Sequence, residues 1–274
     1  MTSGRVAWWH ASLRAIAVLN VALWSLTAFD VARAQPPIQI GAETLPYAQL
    51  LLSAVYVAGC AYRCFLPVVD IPRLVVVDSR LSSVLIGRSV ATVAELCFAA
   101  QWALLLHRIA SLSGSPFGKA VALALVPLLV VAEGCSWYAV LTTEQRAHAL
   151  ENSLWGLSAA LLVAAMLVIG TQRFPALNAS VIAGGTLYAA FIAVYDVPMY
   201  WSRWRADQAQ RRRSLSLADG WIDVRRRWTV SRRWEDWKDE VPWMSLYFTF
   251  GVWSSIAVAY ASLAVGHGDW AIAR

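Results

Sequence analysis

Residues 119–141 read KAVALALVPLLVVAEGCSWYAVL. The core of this stretch, Ala122 to Val131, is apolar at successive positions and does not alternate with period two, so it is no strand of a membrane barrel. Its length matches the roughly 20 residues with which a helix crosses a hydrocarbon layer about 30 Å thick. Similar runs lie on both sides of it, at about Leu13–Val31, Tyr47–Val68, Ser83–Leu106, Ala149–Gly170, Ala179–Trp201 and Trp243–Val265. Composition agrees: 59% of the 274 residues are hydrophobic and 15% charged, and the mean hydropathy of +0.53 is too high for an ordinary soluble domain. The expected architecture is all-α, a polytopic bundle of about seven transmembrane helices forming one domain over residues 1–274.

Ala32-Arg33-Ala34 before Gln35 has the small-residue spacing of a signal-peptide cleavage site, but Asp30 and Arg33 beside it argue for a retained first span. Lys and Arg fix the expected orientation. Arg5, Arg14, the turn from Arg63 to Arg80, Arg146 and the arginine-rich segment 202–242 fall on one side, against Arg108, Lys119 and Arg173 on the other. The N-terminus is therefore expected in the cytoplasm and the C-terminus outside, in a membrane such as the bacterial inner membrane.

The net charge of +6 follows from such a basic face and calls for no nucleic-acid partner. Within 202–242, Trp221, Trp228, Trp234 and Trp237 are interleaved with arginines. In a polytopic protein this mixture reads as amphipathic helix in the interface, indoles at headgroup depth and guanidiniums on anionic headgroups. Gly220 is the expected break between two such helices. The loop LPVVDIPRLVVVDSRLSS after the second span has an apolar patch too short to cross, and reads as a short interfacial element. Cys60, Cys64, Cys97 and Cys135 fall in spans and read as small packing residues, not as a disulfide framework.

Charged groups at bilayer depth are costly, face the bundle interior and mark function. On α-helical spacing Arg88, Thr92 and Glu95 share one stripe of the third span, whereas Gln101 belongs to another face. Glu133, Ser136 and Trp137 share a face of the fourth span, and His148, Glu151, Asn152 and Trp155 one of the fifth. Asp196 stands just before Pro198, whose missing donor frees a carbonyl about one turn earlier. Counted from the cytoplasmic end, Glu95 lies roughly 18 Å deep, Glu133 about 12 Å, Asp196 about 7 Å and Glu151 about 3 Å. The expectation is one cytoplasm-facing acid/base pocket built on Glu95, Glu133, His148, Glu151 and Asp196, tuned by Arg88, with Trp137, Trp155, Tyr195, Tyr200 and Asn152 as its substrate-binding wall.

Such a set suits proton transfer to a lipophilic, isoprenoid- or lipid-like small molecule, with aromatic faces against a developing cation. A proton-coupled transporter, a receptor or another binding protein is the alternative use of the same carboxylates. A metal centre at His148 and Glu151, with oxygens from Glu95, Glu133 and Asp196, rests on one histidine, since His107 lies toward the opposite face, so no metal ligand is assigned. A retinal Schiff base lacks a lysine inside a span, and bound haem lacks paired intramembrane histidines. The residues name no cofactor.

Overall fold

Seven helices in a computed structural model of the chain are long and apolar enough to cross a membrane: Gly4–Arg33, Leu45–Phe65, Val84–Leu112, Pro116–Thr142, Gln145–Ile169, Pro175–Ala209 and Val241–Leu263. Each overlaps one of the apolar runs, the second ending at Phe65, short of the expected Val68, and helices account for 84% of the structure. The protein is therefore an all-α, multi-pass membrane protein. The structure describes residues 3–34, 44–170 and 174–267; Gln35 and Arg173 lie outside the described residues. The chain divides into two compact units, Met1–Gln101 with Val224–Arg274, and Trp102–Asp223.

The first unit holds α1 (Ser3–Ala34), α2 (Thr44–Phe65), the first part of α3 (Val84–Leu112), the short helices α9 (Trp234–Trp237) and α10 (Val241–Leu246), and α11 (Val252–His267). Its core gathers Trp9 and Leu13 of α1, Tyr56 and Cys60 of α2, Trp237 and Phe248. Trp9 lies 5.5 Å from Trp237, and Tyr56 stacks on Phe98 at 4.6 Å. Cys60 and Cys64 are buried in this core as unbridged thiols. Backbone and amide groups in an apolar bundle must find partners inside it. Accordingly Gln49 Nε2 donates to the carbonyl of Gln101 (2.9 Å), Gln101 Nε2 donates to the carbonyls of Gln49 and Ser255 (both 3.2 Å), and the Ser255 hydroxyl donates to Gln101 Oε1 (2.5 Å). Gln101 thus ties α3 to α2 and α11, away from the face of Arg88 and Glu95. Between α10 and α11 the helix widens into a π turn, Tyr247–Gly251; the carbonyl of Phe248 there accepts from Asn20 Nδ2 at 2.7 Å, and Asn20 Oδ1 accepts from Trp253 Nε1.

In the loop after α2, the short apolar patch folds as strand. It forms a two-residue antiparallel hairpin, β1 (Val68–Val69) on β2 (Leu74–Val75), and β3 (Thr229–Val230) adds in parallel to β2. Each ladder has two residue pairs, and the strand that completes the sheet comes from the far end of the sequence. Arg73, at φ 73°, turns the hairpin with its guanidinium on the carbonyl of Asp70 at 2.9 Å.

The second unit contains the rest of α3, α4 (Pro116–Thr142), α5 (Gln145–Ile169), α6 (Pro175–Phe191), α7 (Val197–Ala209) and the start of α8 (Leu217–Arg226). Ser115 caps α4, its Oγ accepting from Gly118 N at 3.1 Å, and Thr143 at φ 61° closes the helix in the left-handed region, giving a tight α4–α5 hairpin. The sixth span runs on past its expected end at Trp201. A π turn, Ile192–Asp196, absorbs the donor that Pro198 lacks, Val197 N bonding the Ile192 carbonyl, and α7 continues in line to Ala209.

Gly220 does not break the chain but lies inside α8. A Cβ at that position would stand 2.0 Å from the carbonyl oxygen of Leu141, so the glycine serves a close approach of α8 to the end of α4. The break falls earlier, where Arg211 at φ 52° follows α7. Gly220→Ala is expected to push α8 off Leu141, costing about 1–3 kcal/mol and hastening tryptic cleavage after Arg225 and Arg226; cleavage at the wild-type rate would show that the approach is not tight.

Candidate functional site

Within each unit, ionisable side chains of the spans lie close to one another. In the first, Arg88 and Glu95 stand two turns apart on α3, and Arg88 Nη2 donates to Glu95 Oε2 at 2.8 Å, both side chains buried. The other carboxylate oxygen accepts from the Tyr247 hydroxyl at 3.0 Å, in the π turn before α11. Asp70 of the β-hairpin brings an oxygen to 4.0 Å from Arg88 Nη1. Gly87 admits the hairpin, since a Cβ there would meet Val68 Cγ1 at 2.6 Å. The result is a connected chain, Asp70–Arg88–Glu95–Tyr247, with one guanidinium between two carboxylates. Neither Asp70 nor Tyr247 belongs to the site expected from the spacing of charges; Asp70 lies outside any span, and a tyrosine at a helix start carries no local signal of its partner.

In the second unit the tight hairpin brings facing positions of α4 and α5 level. Glu133 precedes the end of α4 by roughly two and a half turns and Glu151 follows the start of α5 by roughly two. Carboxylate oxygens of Glu133 and Glu151 come within 4.8 Å of each other, and both residues are buried. His148, one turn before Glu151, shares its face, and its Nδ1 lies 2.7 Å from Glu151 Oε2. Asn152, also on this face, is tied back to the backbone, its Nδ2 donating to the His148 carbonyl at 3.0 Å. The Tyr200 ring of α7 lies 5.1 Å from the imidazole, and the Arg203 guanidinium covers the tyrosine at 5.6 Å. α5 reaches the sixth span at Gly156, where a Cβ would stand 2.9 Å from Ile192 Cγ2.

Asp196 is buried at the end of the π turn, whereas its neighbour Tyr195 is 46% exposed and stacks on Phe191 at 5.3 Å. Tyr195 therefore faces outward and is not part of a wall around His148. The extra residue of the π turn rotates the following positions relative to an α-helix, which misplaces side chains assigned by 3.6-residue spacing. Trp137, Trp155 and Tyr200 are half-buried. Ser136, one turn beyond Glu133 on α4, is buried, and its Oγ makes no hydrogen bond among the described residues.

The two centres differ in chemistry. In the first, the Glu95 carboxylate accepts from Arg88 on one oxygen and from Tyr247 on the other. The second holds two carboxyl groups and one imidazole within hydrogen-bond or near-contact range, which is the equipment of proton transfer. No protein-family model, curated protein or solved structure matches this chain.

Proposed function

We propose that the second unit houses an intramembrane acid/base site that moves a proton to and from a lipophilic, isoprenoid- or lipid-like substrate, so that the protein is a membrane enzyme. The observation that carries this reading is the approach of Glu133 and Glu151 to within 4.8 Å in a buried hairpin, with His148 on Glu151 at 2.7 Å. Two carboxyl groups and an imidazole so close together, away from water, can donate and accept a proton at one bound molecule. Glu133 is the acid that delivers this proton to substrate carbon or oxygen. The Glu151–His148 pair is the base that takes one back, and return of that proton across the gap of at most 4.8 Å to Glu133 restores the starting state. The chemistry is then redox-neutral, an isomerisation or a proton-triggered rearrangement, and needs no further reagent. Trp137, Trp155 and Tyr200 supply π faces beside which a transient cation is stabilised. Arg88 and Glu95, bonded to each other at 2.8 Å, serve stability.

The test is proton exchange. Wild-type protein in nanodiscs made from native membrane lipid, incubated in D2O, is expected to place deuterium on one lipid class, read by mass spectrometry. Glu133→Gln, which keeps shape and removes the proton, is expected to lower that rate at least about 100-fold. No deuterated lipid above the protein-free control, or an unchanged rate in Glu133→Gln, overturns the reading.

A further inference from the structure

We propose that α8 is a binding surface for anionic phospholipid headgroups, seated in the membrane interface; this stands independently of the proton-transfer reading. Its two sides are unlike. Gly220 and Val224 are buried, while Leu217, Trp221 and Ile222 are 55%, 46% and 54% exposed. At about 100° per residue these three side chains spread over an arc of roughly 140° on the outer side of the helix.

Three contacts set the depth of α8. Gly220 lies against the backbone of Leu141, Leu215 N donates to the Thr142 carbonyl at 2.9 Å, and the Ser214 hydroxyl donates to Glu144 Oε2 at 3.1 Å. All three partners stand at the end of the span Pro116–Thr142 or in the turn that follows it. That is the level at which a bilayer passes from hydrocarbon to headgroups, so the exposed apolar arc faces the interface and not bulk water.

Charge then selects the lipid. Arg225 and Arg226 close the last turn of α8, and Arg211 and Arg213 precede it; all four are exposed, and none pairs with a carboxylate among the described residues. Arg212 differs, being held by Asp207 at 3.2 Å. Asp219 is turned to the helix start, accepting from Ser216 Oγ at 2.7 Å. Arg225 follows Trp221 by four residues and Ile222 by three, so it falls within the apolar arc, where an arginine can lay its stem on apolar surface and its head on phosphate. Guanidinium groups bind phosphate through paired hydrogen bonds, and cations near a membrane surface draw anionic lipid.

The experiment uses the full chain in nanodiscs containing phosphatidylcholine and phosphatidylglycerol in equal parts, one lipid at a time carrying a photoreactive group next to its headgroup. Crosslinked peptides are mapped by mass spectrometry. Phosphatidylglycerol is expected to label residues 217–226 several-fold more than phosphatidylcholine. Arg225→Gln and Arg226→Gln are each expected to cut that preference about fivefold, while Trp221→Gln with Ile222→Gln lowers labelling by both lipids. These side chains are exposed, so the thermal midpoint in detergent is expected to stay at the wild-type value in every variant. Absence of label on α8, equal labelling by the two lipids, or a preference unchanged in both arginine variants overturns the proposal; a soluble protein as the occupant of this face would give the first of these.

Discussion

Arg88→Ala is expected to destabilise the protein by about 3–5 kcal/mol, the range in which removal of one member of a buried ion pair falls. Glu95 would keep the Tyr247 hydroxyl on Oε1 and lose the 2.8 Å guanidinium contact on Oε2. A carboxylate shielded from water by α3 and the π turn has no solvent to replace that partner. Asp70 would lose its neighbour as well, 4.0 Å away, although it stands nearer the surface. The measurement is thermal and denaturant unfolding in detergent. Arg88→Met combined with Glu95→Leu is expected to recover most of the loss, because both charges then leave together and only the Asp70 and Tyr247 contacts remain unmet. A single variant that melts at the wild-type temperature would show that Arg88 carries no structural load and would reopen Glu95 as a catalytic group. The double variant also separates stability from catalysis, since a structural Glu95 predicts that proton exchange survives its removal wherever the fold does.

The parts of the fold read without error from the amino-acid order are those governed by local rules. A hydrocarbon layer imposes length and apolarity on each span separately, so seven runs became seven helices. The same holds for side chains joined through one helix: Arg88 meets Glu95 at two full turns, and His148 meets Glu151 at one. What escaped depends on chain segments far apart or on departures from α geometry. β3 joins β2 from the opposite end of the sequence, and a dipeptide such as Thr229-Val230 advertises nothing. Gly220 has the same local signature whether it breaks a helix or lets one press on Leu141; only the neighbour decides. Tyr195 and Tyr247 both lie in π turns, where the 3.6-residue period that assigns faces no longer holds. Tyr195 faces outward there, and Tyr247 reaches Glu95.

His148→Ala and Glu151→Gln are each expected to slow proton exchange by about 10²- to 10⁴-fold, the usual contribution of a positioned acid or base, and the two together by little more than either alone. The reason is geometric. His148 Nδ1 and Glu151 Oε2 are 2.7 Å apart on consecutive turns of α5, so each side chain orients the other. Groups that act as one unit show strongly non-additive losses, because the first deletion already removes what the second would. Independent groups would instead multiply their effects, giving a double variant slower than either single by a further factor of at least about 100. Stability offers the control. His148 packs on Tyr200 at 5.1 Å and ties α5 to α7, so His148→Ala lowers the thermal midpoint, whereas Glu151→Gln keeps volume and a hydrogen-bonding oxygen and is expected to lower it much less. Equal losses of exchange with unequal losses of stability would assign the effect to chemistry. Multiplicative losses, or exchange that falls only in step with the melting temperature, would reduce the pair to a packing contact between α5 and α7.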